Sequence, residues 1–300
     1  MDSFRLPRFK REPSVAPPQL TERDREIIRH VYCHRFLRSS HICSLVSGSS
    51  QQILRRLKLL YHHGYLARPR AQIDYYHQGG SREIVYGLGN KSASILKPEL
   101  GEMFRQIPWD EENGSVKRIF LQHALLVSDS MVSIELSCRR SGVRLLTEQD
   151  LAAANRSFRW KMNVAGQKLS VAPDRVFALE FKGADGNSRR SYFFLEADRG
   201  TMPVVRKSLL QTSFYRKLLA YEATWTQRIH EKQFGFHRFR VLTVTTNQLR
   251  VKSLIDACSK LKNGQGLFLF TDRSVLDTPE NILSHIWQTG RPGKTGTLLD

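Results

Sequence analysis

Residues 169–201 read LSVAPDRVFALEFKGADGNSRRSYFFLEADRGT, two apolar runs around a polar, glycine-containing segment. Val171, Val176, Phe177, Ala178 and Leu179 form the first run, and residues 192–195 form the second. The GADGNS between them has the composition of a turn, so the stretch predicts a β-hairpin. Each arm carries acids beside its apolar run: Asp174 after Pro173 on one, Glu196 and Asp198 on the other. Paired strands lie about 4.8 Å apart, which allows the three carboxylates to share one end of the hairpin. Carboxylates that close repel one another unless a cation, a hydrogen bond or a proton relieves them. A hard dication such as Mg²⁺ is the productive relief, because it takes carboxylate oxygens and keeps water for chemistry.

Outward from the hairpin, Phe120, Ala124, Val127, Met131, Ile134 and Cys138 recur at helical spacing, predicting a long helix over 116–140. Glu135 sits beside its apolar face, and His123 lies about a third of a turn away from Glu135. A strand is expected at 143–146. Residues 150–168 read as a polar, basic excursion. Its Arg156, Arg159, Trp160 and Lys161 suit stacking and phosphate contact or an ordinary surface loop. After the hairpin, Met202-Pro203 is expected to start a helix that buries Val204, Val205, Leu209, Phe214, Leu218, Leu219 and Tyr221. Its charged positions are Arg206, Lys207, Arg216 and Lys217. A strand at 239–246, a helix at 248–262 and a strand at 267–271 follow, then a short helix at 282–287 and a loose tail at 291–300. The crossover from 192–195 to 239–246 should be parallel and right-handed.

The N-terminal part has its own signature. Residues 1–19 are rich in proline and arginine without apolar periodicity and read as a flexible basic arm. Thr21 to Asp24 make a capping box, followed by the stripe Ile27, Ile28, Val31 and Tyr32. A short helix at 41–46 stops at Gly48, and Ser49 or Ser50 opens a third helix through His63, with Gly64 suited to its C-terminal cap. That third helix buries Ile53, Leu54, Leu57, Leu60 and Tyr61 and presents Gln51, Gln52, Arg55, Arg56 and Lys58. Gln and Arg reach adenine and guanine edges in two-pronged fashion. Residues 65–68 and 84–88 read as paired strands joined by a polar loop with Tyr75, Tyr76, His77, Gly79 and Gly80. Three helices followed by a hairpin make a winged helix-turn-helix, with Arg68, Arg70 and Arg82 as phosphate contacts. The alternative is an ordinary solvated helix face.

The 300 residues carry 47 Lys+Arg against 28 Asp+Glu, a formal +19 with a pI near 10.1. That excess favours polyanions, with double-stranded DNA ahead of ribosomes or anionic lipid. No run approaches the ~20 apolar residues of a membrane helix, and the start has no secretory h-region. Cys33, Cys43, Cys138 and Cys258 are too scattered for a disulfide framework or zinc ribbon, so a cytoplasmic setting is expected. Residues 98–115, with Pro, Gly and the acidic run 110–112, read as a connection. The expected organisation is therefore a basic arm 1–19, a winged helix 20–97, a linker 98–115, a second domain 116–290 and a tail 291–300.

Pro173-Asp174 followed by Glu196-Ala197-Asp198 resembles the PD-(D/E)XK nuclease core. The longer string PDR…FLEADRGT…K…Y is similar to the replication-relaxation family of bacteria and plasmids, as are LTERDREIIRHVY, LRRLKLLYHHGYLAR and VYGLGNKSASIL. The resemblance implies an α+β or α/β fold, an N-terminal winged helix-turn-helix followed by a PD-(D/E)XK-like mixed sheet flanked by helices. It implies Mg²⁺ or Mn²⁺ held by Asp174 and Glu196, with Glu135 as a further acid from the leading helix. The chain departs from the nuclease pattern at the usual lysine, where Asp198 stands as base or extra ligand. Arg199, Lys207 or Lys217 can supply the missing cation, and Lys207 is preferred as the start of the following helix. The function implied is replication, relaxation or mobilisation of a plasmid or other mobile element, alongside other replication proteins; a winged helix also admits a homodimer. The competing expectation is a non-catalytic winged-helix transcription regulator with an inactive nuclease-like domain.

Overall fold

The structure is a computed structural model that describes residues 7–13, 17–73, 83–101, 104, 107–151, 158–164, 166–182, 187–278 and 281–300. The chain divides into two compact units, residues 1–132 and 133–300.

In the first unit, α1 (Glu22–His34) leads through β1 (Phe36–Arg38) to α2 (Ser39–Leu45) and α3 (Ser50–His62), then β2 (Leu66–Ala67) and β3 (Val85–Leu88). The three strands form an antiparallel sheet in the order β1-β3-β2. Thr21 caps α1 as expected: its hydroxyl accepts from Asp24 N–H at 3.3 Å while Asp24 Oδ2 accepts from Thr21 N–H at 2.7 Å. Helix α3 ends where Gly64 adopts φ +81°, and Tyr65 N–H reaches back to the Leu60 carbonyl at 2.9 Å, closing the last turn. Ile27, Ile28, Val31, Ile42, Ile53, Leu57, Leu60, Phe36 and Val85 are buried, so each helix turns its apolar stripe inward. Leu54, expected on that stripe, is instead 46% exposed.

Three sequence expectations change here. The basic arm docks in part: Arg11 Nη2 donates to the Leu66 carbonyl at 3.0 Å and to Asp110 at 2.6 Å, and Glu12 N–H donates to His62 Nδ1 at 3.1 Å. Backbone acceptors left over at the short strand β2 give the arm something to hold. The stretch read as a linker contains the end of α4 (Asn90–Leu100) and α5 (Trp109–Ser115), with Trp109 buried and Asn113 donating to the Leu88 carbonyl at 2.6 Å. The long helix, α6 (Arg118–Ser141), contributes its first half to this unit, packing Leu121 and Leu125 against Phe36 and Val85 and pairing Asp129 with Arg38 at 3.0 Å. By length and composition α6 could cross a membrane. Its Leu121, Leu125, Met131, Val132, Ile134 and Cys138 are buried in the folded chain, as in a core helix.

The second unit begins within α6 and is built on a mixed sheet. After β4 (Arg144–Leu146) and the short α7 (Glu148–Leu151) come β5 (Trp160–Val164), β6 (Gln167–Val171), β7 (Arg175–Lys182) and β8 (Ser188–Ala197). Then follow α8 (Phe214–Thr226), α9 (Ile229–Phe234), β9 (Phe239–Thr245), α10 (Gln248–Cys258), β10 (Phe268–Asp272), β11 (Trp287–Thr289) and β12 (Thr295–Gly296). The seven-stranded sheet has the order β12-β11-β10-β9-β8-β7-β4. Strands β8, β9 and β10 are parallel to their neighbours in that trio, as the crossover through α8 requires, and the remaining pairs are antiparallel. Phe194, Val241, Phe268 and Phe270 from the sheet pack with Phe214, Leu218, Tyr221, Val251 and Leu254 of α8 and α10 in one apolar cluster.

Other expectations for this unit are revised. The excursion at 150–168 holds a strand, because β5 pairs with β6 and Trp160 and Met162 enter the core, with Trp160 Nε1 donating to Thr224 Oγ1 at 2.7 Å. The helix expected from Met202 starts only at Phe214, capped by Ser213. No α-helix forms at 282–287. Trp287 opens a strand instead, and the expected tail returns as β12 with Leu298 fully buried, since leaving these apolar side chains in water would cost more than ordering the chain.

Candidate functional site

Strand β7 pairs with β8 in the register Arg175 to Leu195, which sets Asp174 opposite Glu196 where both strands end. Asp174 N–H donates to the Leu195 carbonyl at 3.0 Å, and Asp174 Oδ2 accepts from Ala197 N–H at 2.8 Å. Directly opposed residues on adjacent strands share a face, and the charge of Asp174 acts on the Glu196 carboxyl.

The cation beside them is Lys217. It lies on α8, and its Nζ donates to Glu196 Oε2 at 2.5 Å. One helical turn on, the Tyr221 hydroxyl donates to Glu196 Oε1 at 2.6 Å. Glu196 is 2% exposed. Burial raises its carboxyl, Lys217 draws it down and the Asp174 charge raises it again, leaving it above the ordinary 4.5. Burial opposes charge on Lys217, yet Glu196, Asp174 and Asp198 hold its ammonium above the ordinary value. Burial and Glu196 together push the Tyr221 phenol well up. Lys207, expected at the head of this helix, is instead exposed in the irregular chain before it.

Asp198 is turned to different work. Its Oδ2 accepts from Arg250 Nε at 2.8 Å and from Thr245 Oγ1 at 2.7 Å, and its Oδ1 accepts from Gly200 N–H at 3.1 Å. These bonds join the end of β8 to β9 and to the first turn of α10. The Glu135 carboxylate pairs with Arg139 one turn along α6 at 2.6 Å.

In the first unit the exposed face of α3 carries Gln51, Gln52, Arg55 and Lys58, with Leu54 among them. Arg56 departs from that set. Its guanidinium takes both oxygens of the buried Asp24, Nε at 2.9 Å and Nη2 at 2.5 Å. Arg68 is also turned inward, 4.0 Å from the Tyr61 ring and 5.2 Å from the Tyr86 ring, donating to Tyr86 Oη at 3.1 Å and to the Arg8 carbonyl at 2.7 Å. Arg70 is exposed. Arg82 and Arg156 lie outside the described residues, as does most of the polar loop between β2 and β3.

Sequence reasoning ranked Lys207 above Lys217 and left Tyr221 out of the site. The available signal was the i, i+4 spacing of Lys217 and Tyr221, which puts both on one face of a helix. Arg250 had none, since its partner is 52 residues away.

Fold and site together define a protein of two α+β units whose larger sheet carries an acid–lysine–tyrosine cluster at the end of its strand β8. Residues 28–238 match the replication-relaxation family, and the chain belongs to it. Membership supports a role in the replication or relaxation of mobile elements. The matched span contains Asp174, Glu196, Lys217 and Tyr221, while β9, α10 and β10 fall beyond it. No curated protein and no solved structure matches the chain.

Proposed function

We propose that this chain is a DNA-binding protein of a plasmid or other mobile element, whose second unit is a PD-(D/E)XK-like nuclease domain acting on the phosphodiester backbone. The observation that carries this reading is the opposition of Asp174 and Glu196 with Lys217 bonded to Glu196 and influenced by the charge of Asp174. That is an acid, acid, lysine set in which the lysine comes from α8 and Asp198 has been released to hold Arg250. The donor set fits a hard dication, since it offers the carboxylate oxygens of Asp174 and Glu196 on neighbouring strand ends. Asp174 and Glu196 would hold Mg²⁺ or Mn²⁺, which when bound supplies an activated water and neutralises phosphate charge. Lys217 would place its ammonium against the phosphate oxygen on which charge grows. Tyr221 keeps the Glu196 carboxylate in one orientation.

The first unit is read as a winged helix that grips duplex DNA with the exposed face of α3. Three helices and a three-stranded antiparallel sheet support it, as does the formal +19 of the chain.

A second reading, a DNA-binding regulator without cleavage, is favoured by the closure of both Glu196 oxygens on Lys217 and Tyr221. Supercoiled plasmid incubated with the protein and Mg²⁺ or Mn²⁺ separates the two. The nuclease reading expects nicked or linear product that disappears with chelator and in Asp174→Ala and Glu196→Gln. Duplex binding without cleavage would establish the regulator, and cleavage surviving both substitutions would remove this site from the chemistry.

A further inference from the structure

The chain leaving β8 returns to α8 as a closed excursion beside the acids. Phe214 N–H donates to the Pro203 carbonyl at 2.9 Å and Tyr215 N–H to the Val204 carbonyl at 2.8 Å, so residues 205–213 project from a narrow neck. That neck is rooted: Met202 and Val204 pack against the main apolar cluster, and Arg250 Nη2 donates to the Met202 carbonyl at 2.6 Å. At the tip, Gln211 N–H donates to the Ser208 carbonyl at 3.2 Å and Leu210 N–H to Ser208 Oγ at 3.2 Å, closing a turn.

Corners of such turns ordinarily go to Gly, Asn, Asp, Ser or Pro. Here they are Leu209 and Leu210, and Leu210 is 75% exposed. A lone exposed leucine requires no explanation, but this one has a setting. Arg216 Nη1 holds its carbonyl at 3.3 Å, and the residue after Arg216 is the Lys217 that reaches Glu196. From residue 199 to 221 the chain carries five cations (Arg199, Arg206, Lys207, Arg216, Lys217) and no acid. Charge of one sign suits a phosphate backbone. An apolar tip gains nothing from phosphate but can enter between bases.

We infer that residues 205–213 are a wedge: Arg206, Lys207 and Arg216 engage phosphates while Leu210 inserts into a base step of duplex DNA and unstacks it, bending the backbone toward Asp174 and Glu196. Apolar side chains of this size act so in proteins that kink DNA, and pyrimidine–purine steps yield most readily. The inference rests on the reading of the second unit as one that engages DNA.

Permanganate oxidation of unstacked thymines tests it, using the full-length protein at low salt with a linear duplex rich in TA steps and binding followed in parallel. The wild-type protein should raise thymine reactivity about threefold or more at saturation. Leu210→Ser should bind within about twofold of wild type without that rise, since the substitution removes no buried contact, and Leu210→Phe should preserve it. Binding without enhanced reactivity, or equal enhancement by Leu210→Ser, overturns the wedge and leaves the DNA-engaging reading intact. Failure of the wild-type protein to bind duplex at all defeats that reading and the wedge with it.

Discussion

Lys217 Nζ lies 2.5 Å from Glu196 Oε2, joining the first turn of α8 to the end of β8. The carboxylate side chain is 3% exposed and the lysine side chain 38%, so this is a buried acid answered by a cation that still touches water. The pair serves the fold and the proposed chemistry at once, and substitutions can separate the two roles.

Lys217→Ala should lower stability by about 2 kcal/mol. That is less than the 3–5 kcal/mol typical of a fully buried pair, because solvent already screens the ammonium. Chemical denaturation measures it, and an unchanged midpoint would show that Tyr221 alone satisfies Glu196. Under conditions where the variant stays folded, metal-dependent cleavage should fall by a factor of about 100 or more.

The raised Glu196 carboxyl has a consequence for pH. A carboxyl whose folded value lies above its ordinary 4.5 contributes stability that is complete below 4.5 and is lost as pH rises through the folded value. Glu196→Gln has no such proton to lose. In metal-free buffer, Tm of Glu196→Gln minus Tm of wild type should therefore become more positive from about pH 4 toward neutrality. A constant difference would mean that Lys217 fully compensates the buried charge.

Neighbouring arginines of α3 should behave in opposite ways. Arg56→Ala strands the fully buried Asp24 and should cost about 3 kcal/mol by denaturation. Burial raises the Asp24 carboxyl, but bonds from Arg56 and Thr21 bring it below its ordinary 3.8, so this stability is present above 3.8 and lost as pH falls through the folded value. Arg55→Ala should leave stability within about 0.5 kcal/mol and instead weaken duplex binding, with the salt slope reduced by about one. A large loss of stability in Arg55→Ala would contradict the assignment of its side chain to the exposed face.

Arg11→Ala should lower stability by about 1–1.5 kcal/mol through loss of its bonds to Leu66 and Asp110. Removing residues 1–13 should lower Tm further by withdrawing the Arg8 carbonyl from the buried Arg68 guanidinium. An identical Tm for the truncated chain would show that the arm carries no stability.

The sequence alone determined a hairpin over β7 and β8 with acids toward one end, and the capping of α1 and α3. These rest on periods of 2 and 3.6 and on partners a few residues apart. Which lysine serves Glu196 was decided only in three dimensions. The helix begins at Phe214 rather than Met202 because the neck bonds of Pro203 and Val204 hold the intervening residues out as a loop, leaving Lys207 exposed and bringing Lys217 to the acid. Arg55 and Arg56 are about 100° apart on one helix, and only the position of Asp24, 32 residues earlier, tells which is held in an internal ion pair. The same holds for Asp198 with Arg250 and for Leu298, whose burial awaits a sheet edge assembled from distant strands. Local hydrogen bonds and periodicity act within a few residues and are written in the chain. Charge pairing and burial act across space, and become definite only when the packed elements choose among several chemically equal candidates.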